Sequence, residues 1–168
     1  ILVYNEDDTE VKRVAEAATN PIRKLPYSTP NYTVQNGVTY LETPEGPMPI
    51  EVFGAHNLNN LAGAKWICQN MGVDEADFYE AIATFKGASK RLEKIAETKT
   101  AVAYKDYAHS PSKVKATTEA VKSQYPNRKL IACLELHTYS SLNPEFLKEY
   151  KGTLEAADSA EVFYSPHA

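Results

Sequence analysis

The second half of the sequence alternates strand-like and helix-like segments, which restricts the possible fold more than any other feature does. From residue 100 the strand-like runs are TAVAYKDY, KLIACLEL and AEVFY, and helical patterns begin between them at Pro111 and Pro144. Ser110 and Asn143 precede these prolines, which is a good signal for a helix start. Strands that alternate with helices favour an α/β fold with a doubly wound, parallel sheet.

The first third of the chain has a different pattern. ILVYN predicts a strand, Asp8 to Ala18 a helix with Asp8 or Thr9 as N-cap, and RKLPYS a short strand. YTVQ and VTYLET flank Asn36 and Gly37, a pair typical of a hairpin with a type I′ turn. TPEGPMP is predicted to be a loop, and PIEVF a further short strand.

Two helices and a linker follow. GAHNLNNLAGAKWICQNMG predicts a buried helix that ends at Gly72, and a second helix is expected from Asp74 to Thr84. The positions that fit the buried face of the first helix are Leu58, Leu61, Ala62, Lys65, Trp66 and Met71. FKGASKR has no periodicity and contains a glycine, so two domains are expected to join near Lys86–Lys90. RLEKIAE and TAVAYKDY then predict two strands joined by a short turn.

Composition and charge exclude several classes of protein. The 168 residues are 43% hydrophobic, enough for one ordinary core or two small ones, and the net charge is −4. No basic region favours nucleic acid or an anionic membrane, and no apolar run approaches the roughly 18 residues of a membrane span. Cys68 and Cys133 have apolar neighbours and no CxxC spacing, so both are expected to be buried, reduced thiols of a cytoplasmic protein. Strand-like sequence at both ends suggests a fragment of a longer protein.

Two polar loops follow consecutive strands of the predicted sheet. They run from Asp106 to Ser112 and from Glu135 to Asn143. Ligands of open α/β sheets bind beyond the carboxyl ends of strands, facing helix N-termini, so we expect these loops to line one crevice. Their candidate residues are Asp106, Tyr107, His109, Ser110, His137, Tyr139, Ser140 and Ser141. The alternative is that the Ser and Asn side chains only cap helices and the histidines lie on the surface.

Asparagines begin an otherwise apolar helix. Asn57 and Asn60 share a helical face just after His56, and a carboxamide can match the hydrogen-bonding edge of adenine. The alternative is that these side chains only satisfy the start of the helix. Farther along, Arg91 follows Lys86 and Lys90 at the predicted linker, where it could clamp a phosphate or belong to a solvated basic stretch.

Several common sites have no motif in this chain. The four histidines, His56, His109, His137 and His167, form no HxxxH spacing, and no metal site is predicted. GxSxG, GxxxxGK[ST] and GxGxxG are all absent. If the protein uses ATP, its phosphate loop is expected to lie outside this sequence.

Taken in order, these segments resemble the Mur ligases, the ATP-dependent amide-forming enzymes of peptidoglycan synthesis. FGAHNLNNLAGA is similar to their G-x-HN-x-x-N-x-x-A-A helix, and FKGASKRLE to their F-x-G-x-x-R-R-x-E hinge. YKDYAHSPSKVKAT is similar to the D-D-[YF]-x-H-H-P segment of members that act on UDP-N-acetylmuramate. LVYNEDD resembles the end of a core strand in the central ATPase domain. The resemblance covers essentially the whole chain.

The resemblance implies a domain organisation. Residues 1–88 would be the C-terminal part of the central ATP-binding domain, and residues 89–168 a truncated, Rossmann-like C-terminal domain. The UDP-holding N-terminal domain, the P-loop and the Mg²⁺ ligands would lie outside this sequence, so the fragment alone is expected to be inactive. A non-catalytic nucleotide-binding module of similar fold is an alternative, because fold does not determine function. Folylpolyglutamate synthetase relatives are a third possibility, which the AHSP stretch disfavours.

The resemblance also implies roles for individual residues. Asn57 and Asn60 would face the adenine of ATP and His56 would support that helix start, while Arg91 would reach the phosphates and Asp106 the ribose hydroxyls. The residues expected near the amine substrate and the muramyl carboxylate are Tyr107, His109, His137 and Tyr139. The implied reaction activates a carboxylate as an acyl phosphate, which an amine then attacks with release of ADP and phosphate.

Departures from the family pattern bear on the amine substrate. Members that add L-alanine usually carry an H-R-Y-[ST]-R-like stretch, and Thr138 and Ser141 stand here in place of its arginines. Leu134-Glu135 resembles the branch that attaches L-Ala-γ-D-Glu-meso-diaminopimelate to UDP-N-acetylmuramate. We therefore expect the tripeptide as substrate, with L-alanine as the alternative because His137 and Tyr139 remain. Ser110 also replaces the second His of the HHP pattern, and Lys105 its first Asp.

Overall fold

A computed structural model describes residues 1–165 of the chain. The chain forms two compact units, Ile1–Lys86 and Gly87–Ala168. His167 lies outside the described residues.

A short parallel sheet opens unit 1. β1 (Leu2–Asn5) pairs with β2 (Lys24–Tyr27), and α1 (Thr9–Ala17) connects them. The helix begins at Thr9 because the Asp8 carboxylate accepts hydrogen bonds from the backbone amides of the first turn. The predicted strand–helix–strand unit is therefore confirmed, and of the two predicted N-cap candidates, Asp8 and Thr9, the structure shows Asp8.

A three-stranded antiparallel sheet follows, made of β3 (Tyr32–Gln35), β4 (Val38–Thr43) and β5 (Gly46–Ile50). Asn36 and Gly37 join β3 to β4 with φ angles of 53° and 78°. Two positive φ angles in a two-residue loop define a type I′ turn, so the predicted hairpin is confirmed.

The prediction for β5 was wrong. Most of the segment predicted as a loop forms this strand, and of PIEVF only Pro49 and Ile50 are in it. The sequence misled because Pro47 and Pro49 lack an amide donor, which argues against a strand. β5 is an edge strand, however, and alternate residues of an edge strand need no partner on the open side.

The core of unit 1 lies under α2 (Ala55–Asn70) and α3 (Glu75–Ala83). Gly72 follows α2 with a φ of 95°, as expected of a residue that ends a helix, and Asp74 caps α3. Met71 is 79% exposed, so its predicted inward position was wrong. Met71 follows the last residue of α2, so its side chain does not continue the buried face of the helix. The buried cluster consists of Leu41, Ile50, Leu58, Leu61 and Phe78.

Unit 2 contains an antiparallel and a parallel strand pair. β6 (Glu93–Glu97) pairs with β7 (Val102–Lys105), α4 (Pro111–Gln124) follows, and β8 (Ile131–Leu136) pairs in parallel with β9 (Ser159–Tyr164). Between β8 and β9 the chain makes only single helical turns, of which α5 is Pro144–Leu147. Parallel and antiparallel pairs with interspersed helices confirm the α/β class. Within residues 1–165, no strand pairing joins β7 to β8.

Two further sequence predictions concern burial. Both cysteines are free thiols, but Cys133 is exposed and Cys68 only half-buried, so their predicted burial was wrong. Cys133 lies in β8, where side chains alternate between an exposed and a less exposed face, and Cys133 is on the exposed face. Some of the apolar neighbours that suggested burial lie on that exposed face too.

In the described part of the chain, no helix combines the length and apolarity that crossing a bilayer requires.

Candidate functional site

Four predicted side chains meet in unit 2 around the ring of Tyr107. The His109 ring centroid lies 5.0 Å and the His137 ring centroid 6.5 Å from the Tyr107 ring centroid. The guanidinium carbon of Arg91 lies 5.9 Å from the same centroid, within the range of a cation–π contact. We call these four residues the Tyr107 cluster. It combines the fixed positive charge of Arg91, which suits an anionic ligand, with two imidazoles, whose ring nitrogens can donate or accept hydrogen bonds.

Two hydrogen bonds at His109 fix the loop that carries Tyr107. Nδ1 of His109 lies 3.0 Å from the carbonyl oxygen of Tyr107, and the hydroxyl of Tyr150 donates to the carbonyl oxygen of His109. Burial raises the pKa of Tyr150, so its hydroxyl remains a donor at neutral pH. α4 begins directly after this loop at Pro111, as predicted, although the Ser110 side chain makes no capping hydrogen bond.

The carboxylate of Asp106, directly after β7, accepts hydrogen bonds from the backbone of two segments. One carboxylate oxygen accepts a hydrogen bond from the amide of Leu92 at 2.7 Å, and the other accepts from the amide of Ala108 at 2.6 Å. An ionised carboxylate has about four acceptor positions, of which these bonds occupy two. Asp106 can therefore accept hydroxyl donors, as the predicted ribose role requires. Its structural duty was not evident from the sequence.

The loop after β8 closes on itself. The amide of Thr138 donates to Oγ of Ser141 at 3.0 Å, and that hydroxyl donates to the carbonyl oxygen of Thr138 at 2.8 Å. These two residues, which stand in place of arginines, thus form a neutral turn with no cationic side chain. Tyr139 is 95% exposed, and no ring contact among the described residues joins it to the Tyr107 cluster. The structure therefore brings His137 into the cluster and leaves Tyr139 outside it.

In unit 1 the predicted residues occupy the first two turns of α2. Nδ2 of Asn57 donates to the carbonyl oxygen of Phe53 at 2.9 Å, so this side chain helps to close the start of the helix. Asn60 is exposed and His56 is half-buried. The amide oxygen of Asn57 and the side-chain amide of Asn60 can form hydrogen bonds with the edge of an aromatic base. Helix closure, the alternative reading of these asparagines, accounts for only one of the two.

A polar contact that the sequence did not reveal lies beside these residues. Nδ2 of Asn59 is within 3.2–3.3 Å of side-chain oxygens of Asn5, Asp7 and Thr29. Asp7 also accepts the amide of Thr29 at 2.9 Å. Asn59 therefore ties the start of α2 to the segments that follow β1 and β2. The polar run after β1 is visible in the sequence, but nothing there indicates which asparagine of α2 reaches it.

The described residues differ in how well they fit the two cofactors that the resemblance implies. The exposed guanidinium of Arg91 suits a phosphate group, and Asp106 suits a ribose hydroxyl. Among residues 1–165, no group of three or more His, Cys, Asp and Glu is arranged to hold a metal ion. No residue of this chain is therefore assigned to Mg²⁺.

Comparison with known proteins gives a consistent set of sequence relatives. The chain is 31% identical over 123 residues to the UDP-N-acetylmuramate–L-alanine ligase of Desulfitobacterium hafniense, covering 71% of this chain and 27% of that protein. It is 29% identical over 173 aligned positions to the ligase of the same name from Caldicellulosiruptor bescii, covering 96% of this chain and 38% of the relative. The chain thus spans well under half the length of these curated relatives. A scan against family models found no match.

Solved structures agree in fold. The UDP-N-acetylmuramate–alanine ligase of Thermotoga maritima matches 82% of this chain and 31% of its own, with a TM-score of 0.66 and 19% identity. An FPGS complex with AMPPCP and folate, FPGS being folylpolyglutamate synthetase, matches 99% of this chain and 43% of its own. Its TM-score is 0.68 and its identity 16%. At such identities the likeness shows the fold alone, and the sequence relatives are what support the Mur ligase family.

Proposed function

We infer that this chain belongs to the Mur ligase family and forms part of an ATP-dependent ligase that joins an amino acid or a peptide to UDP-N-acetylmuramate. The observation that carries the proposal is the Tyr107 cluster, because it brings together predicted site residues from three separate segments of the chain. The names of the curated relatives support the same substrate.

The proposed roles follow the chemistry of each side chain. Arg91 binds the phosphates of ATP, where its fixed charge stabilises the negative charge that develops during phosphoryl transfer. Asp106 accepts the ribose hydroxyls, and Asn57 with Asn60 recognises the adenine. His109 orients the amine toward the activated muramyl carboxylate, a contribution made chiefly by positioning.

Two further substrate contacts are proposed beside these. Tyr107 and His137 would face the bound substrate from the same cluster as His109, whereas Tyr139 would have to be recruited from its exposed position. Mg²⁺ would accompany ATP, held by residues outside this chain. We propose a cytoplasmic location, where both ATP and UDP-linked precursors are available.

The amine substrate is proposed to be the tripeptide L-Ala-γ-D-Glu-meso-diaminopimelate. The neutral turn made by Thr138 and Ser141 supports this choice, because it offers no cation where L-alanine-adding members carry two. L-alanine is the second candidate, favoured by the names of the curated relatives.

The choice of amine can be tested with the full-length protein. Phosphate release is measured with ATP, Mg²⁺ and UDP-N-acetylmuramate, adding either the tripeptide or L-alanine. We expect release with the tripeptide to exceed release with L-alanine. Release with L-alanine alone would overturn the tripeptide assignment and leave the second candidate.

The role of Arg91 can be tested by replacing it with alanine. Arg91→Ala should lower kcat/KM for ATP by about a hundredfold or more, because the loss of a phosphate-binding charge typically has effects of this order. Arg128→Ala is the matched control, since Arg128 is also exposed and lies 5.4 Å from the ring of Tyr125 in the same unit. Equal turnover in the two variants would remove Arg91 from the site.

A further inference from the structure

The backbone on both sides of Arg91 adopts a conformation that side-chain-bearing residues avoid. Lys90 has a φ of 58° and Leu92 a φ of 46°. Among residues 1–165 the one other non-glycine residue with positive φ is Asn36, which belongs to a hairpin turn that favours it. Lysine and leucine residues keep a backbone in the left-handed region only where their surroundings enforce it. Such positions concentrate at functional sites.

Two carboxylates hold these two residues. Oε2 of Glu93 accepts the amide of Lys90 at 2.8 Å and the hydroxyl of Ser89 at 3.3 Å. Oδ2 of Asp106 accepts the amide of Leu92 at 2.7 Å. Hydrogen bonds to ionised acceptors are shorter and stronger than neutral ones. Each carboxylate can therefore offset the conformational cost of a positive φ angle at the residue whose amide it accepts.

Residues 90–92, which we call the turn, are connected directly to the Tyr107 cluster. The amide of Tyr107 donates to the carbonyl oxygen of Lys90 at 2.9 Å, and the amide of Arg91 donates to the carbonyl oxygen of Ala88 at 3.1 Å. Leu92 is buried, which anchors the far side of the turn. The backbone of Arg91 is therefore fixed relative to the ring over which its guanidinium lies.

We propose that Glu93 is a positioning residue for Arg91: together with Asp106, it locks the left-handed backbone on either side of the arginine and so aims the guanidinium over Tyr107. This inference rests on the proposed function for the role of Arg91. The hydrogen bonds of the Glu93 carboxylate go to the Ser89 hydroxyl and the Lys90 amide, so in this proposal it acts through the arginine. Asp106 has a further proposed role toward the ribose, which makes Glu93 the cleaner position to test.

The first experiment reads the turn without any reaction. Amide hydrogen exchange at single-residue resolution is compared in full-length wild-type protein, Glu93→Ala and Glu93→Gln. Glu93→Ala should speed exchange at Lys90 by about tenfold or more, since it removes a hydrogen bond to a charged acceptor. Glu93→Gln keeps an acceptor oxygen and should retain part of the protection. Glu97→Ala removes the same charge from the same strand and should leave Lys90 unchanged. Unchanged exchange at Lys90 in Glu93→Ala would overturn the proposal.

The second experiment reads the effect on the reaction. Glu93→Ala should lower kcat/KM for ATP by about tenfold to a hundredfold, as expected when a reacting group is misplaced, while Glu93→Gln loses less and Glu97→Ala nothing. In an Arg91→Ala background, Glu93→Ala should cause no further loss, because the residue acts through the arginine. Adding Lys90→Gly to Glu93→Ala should recover activity, since glycine adopts a positive φ without strain.

The outcomes separate this inference from the proposed function. If wild-type protein forms no ligation product, the proposed function is wrong and the positioning role falls with it. If wild-type protein is active and Glu93→Ala lowers thermal stability but not turnover, Glu93 is only structural and this inference alone is overturned. Additive losses in the Arg91→Ala background would also overturn it.

Discussion

Gly63 lies where α2 passes closest to Tyr27 of β2. A Cβ atom placed on Gly63 would lie 2.9 Å from Cζ of Tyr27, closer than carbon atoms approach without movement. Glycine inside a helix normally costs about 1 kcal/mol relative to alanine, so its presence here is explained by the close approach of the ring. Neither the identity of the contacting ring nor the distance follows from the sequence, because the crossing of α2 over β2 is a tertiary feature.

Gly63→Ala should stabilise the fold by clearly less than the roughly 1 kcal/mol that alanine normally gains over glycine inside a helix. The end of the half-buried Tyr27 ring has to shift to admit the added methyl group, and this shift offsets part of the gain. Urea denaturation measures the change, and Tyr27→Leu provides the internal check. In the Tyr27→Leu background Gly63→Ala should give the full gain of about 1 kcal/mol. The same full gain in the wild-type background would contradict the contact.

Asp158 joins three segments of unit 2. Its carboxylate accepts hydrogen bonds from Nζ of Lys122 at 2.8 Å and from the amide of Leu130 at 2.7 Å. The Lys122 ammonium, and next the Leu130 amide, hold the pKa of Asp158 below its ordinary value of 3.8. A carboxylate with a lowered pKa stabilises the fold above its unfolded-state pKa, and that contribution is lost as the pH falls through the folded-state pKa.

A carbon-13 NMR titration should therefore place the midpoint of Asp158 below 3.8. Lys122→Met should raise the pKa toward that value by removing its largest cause. The stability difference between wild-type protein and Asp158→Asn should be greatest near neutral pH and shrink as the pH is lowered past 3.8. A midpoint above 3.8 in the wild-type protein, or no effect of Lys122→Met, would contradict this account.

At the scale of elements, local signals predicted most boundaries. The Asn36-Gly37 turn, the Gly72 helix end and the starts of α1, α3 and α4 all depend on preferences of a few adjacent residues. β5 was missed because its edge position, which makes its prolines acceptable, depends on the strand order of the whole sheet. The helix predicted to start at Pro144 does begin there, as α5, but its single turn could not be predicted, since Pro and Asn signal a start and not a length.

Two helix starts that look alike in the sequence should differ in stability. Asp74 accepts the amide of Asp77 at 3.0 Å, whereas the side chain of Ser110 makes no capping hydrogen bond. Asp74→Ala should therefore cost about 0.5–2 kcal/mol of unfolding free energy, and Ser110→Ala clearly less. Chemical denaturation of the two variants compares them directly. Equal losses would mean that the Ser110 hydroxyl caps α4 in solution.

At the scale of the whole molecule, the sequence indicated the residues of the Tyr107 cluster but not their contacts. His109 and His137 could be grouped because both follow strands of an α/β arrangement. The contact of Arg91 with the Tyr107 ring could not be predicted, because Lys90 and Leu92 on either side of Arg91 have positive φ angles and bond through their amides to Glu93 and Asp106, which no local sequence pattern indicates. The folate-linked structural neighbour shows that this fold alone does not specify a substrate.

We propose that the full-length protein consumes ATP to join an amine to UDP-N-acetylmuramate. The most direct measurement is mass spectrometry of the products formed from ATP, Mg²⁺, UDP-N-acetylmuramate and the tripeptide or L-alanine, with ADP measured in parallel. We predict a UDP-linked amide in amounts equal to the ADP released, and its loss in Arg91→Ala. ADP release without any joined product, or ligation only of glutamate to a folate, would contradict the account.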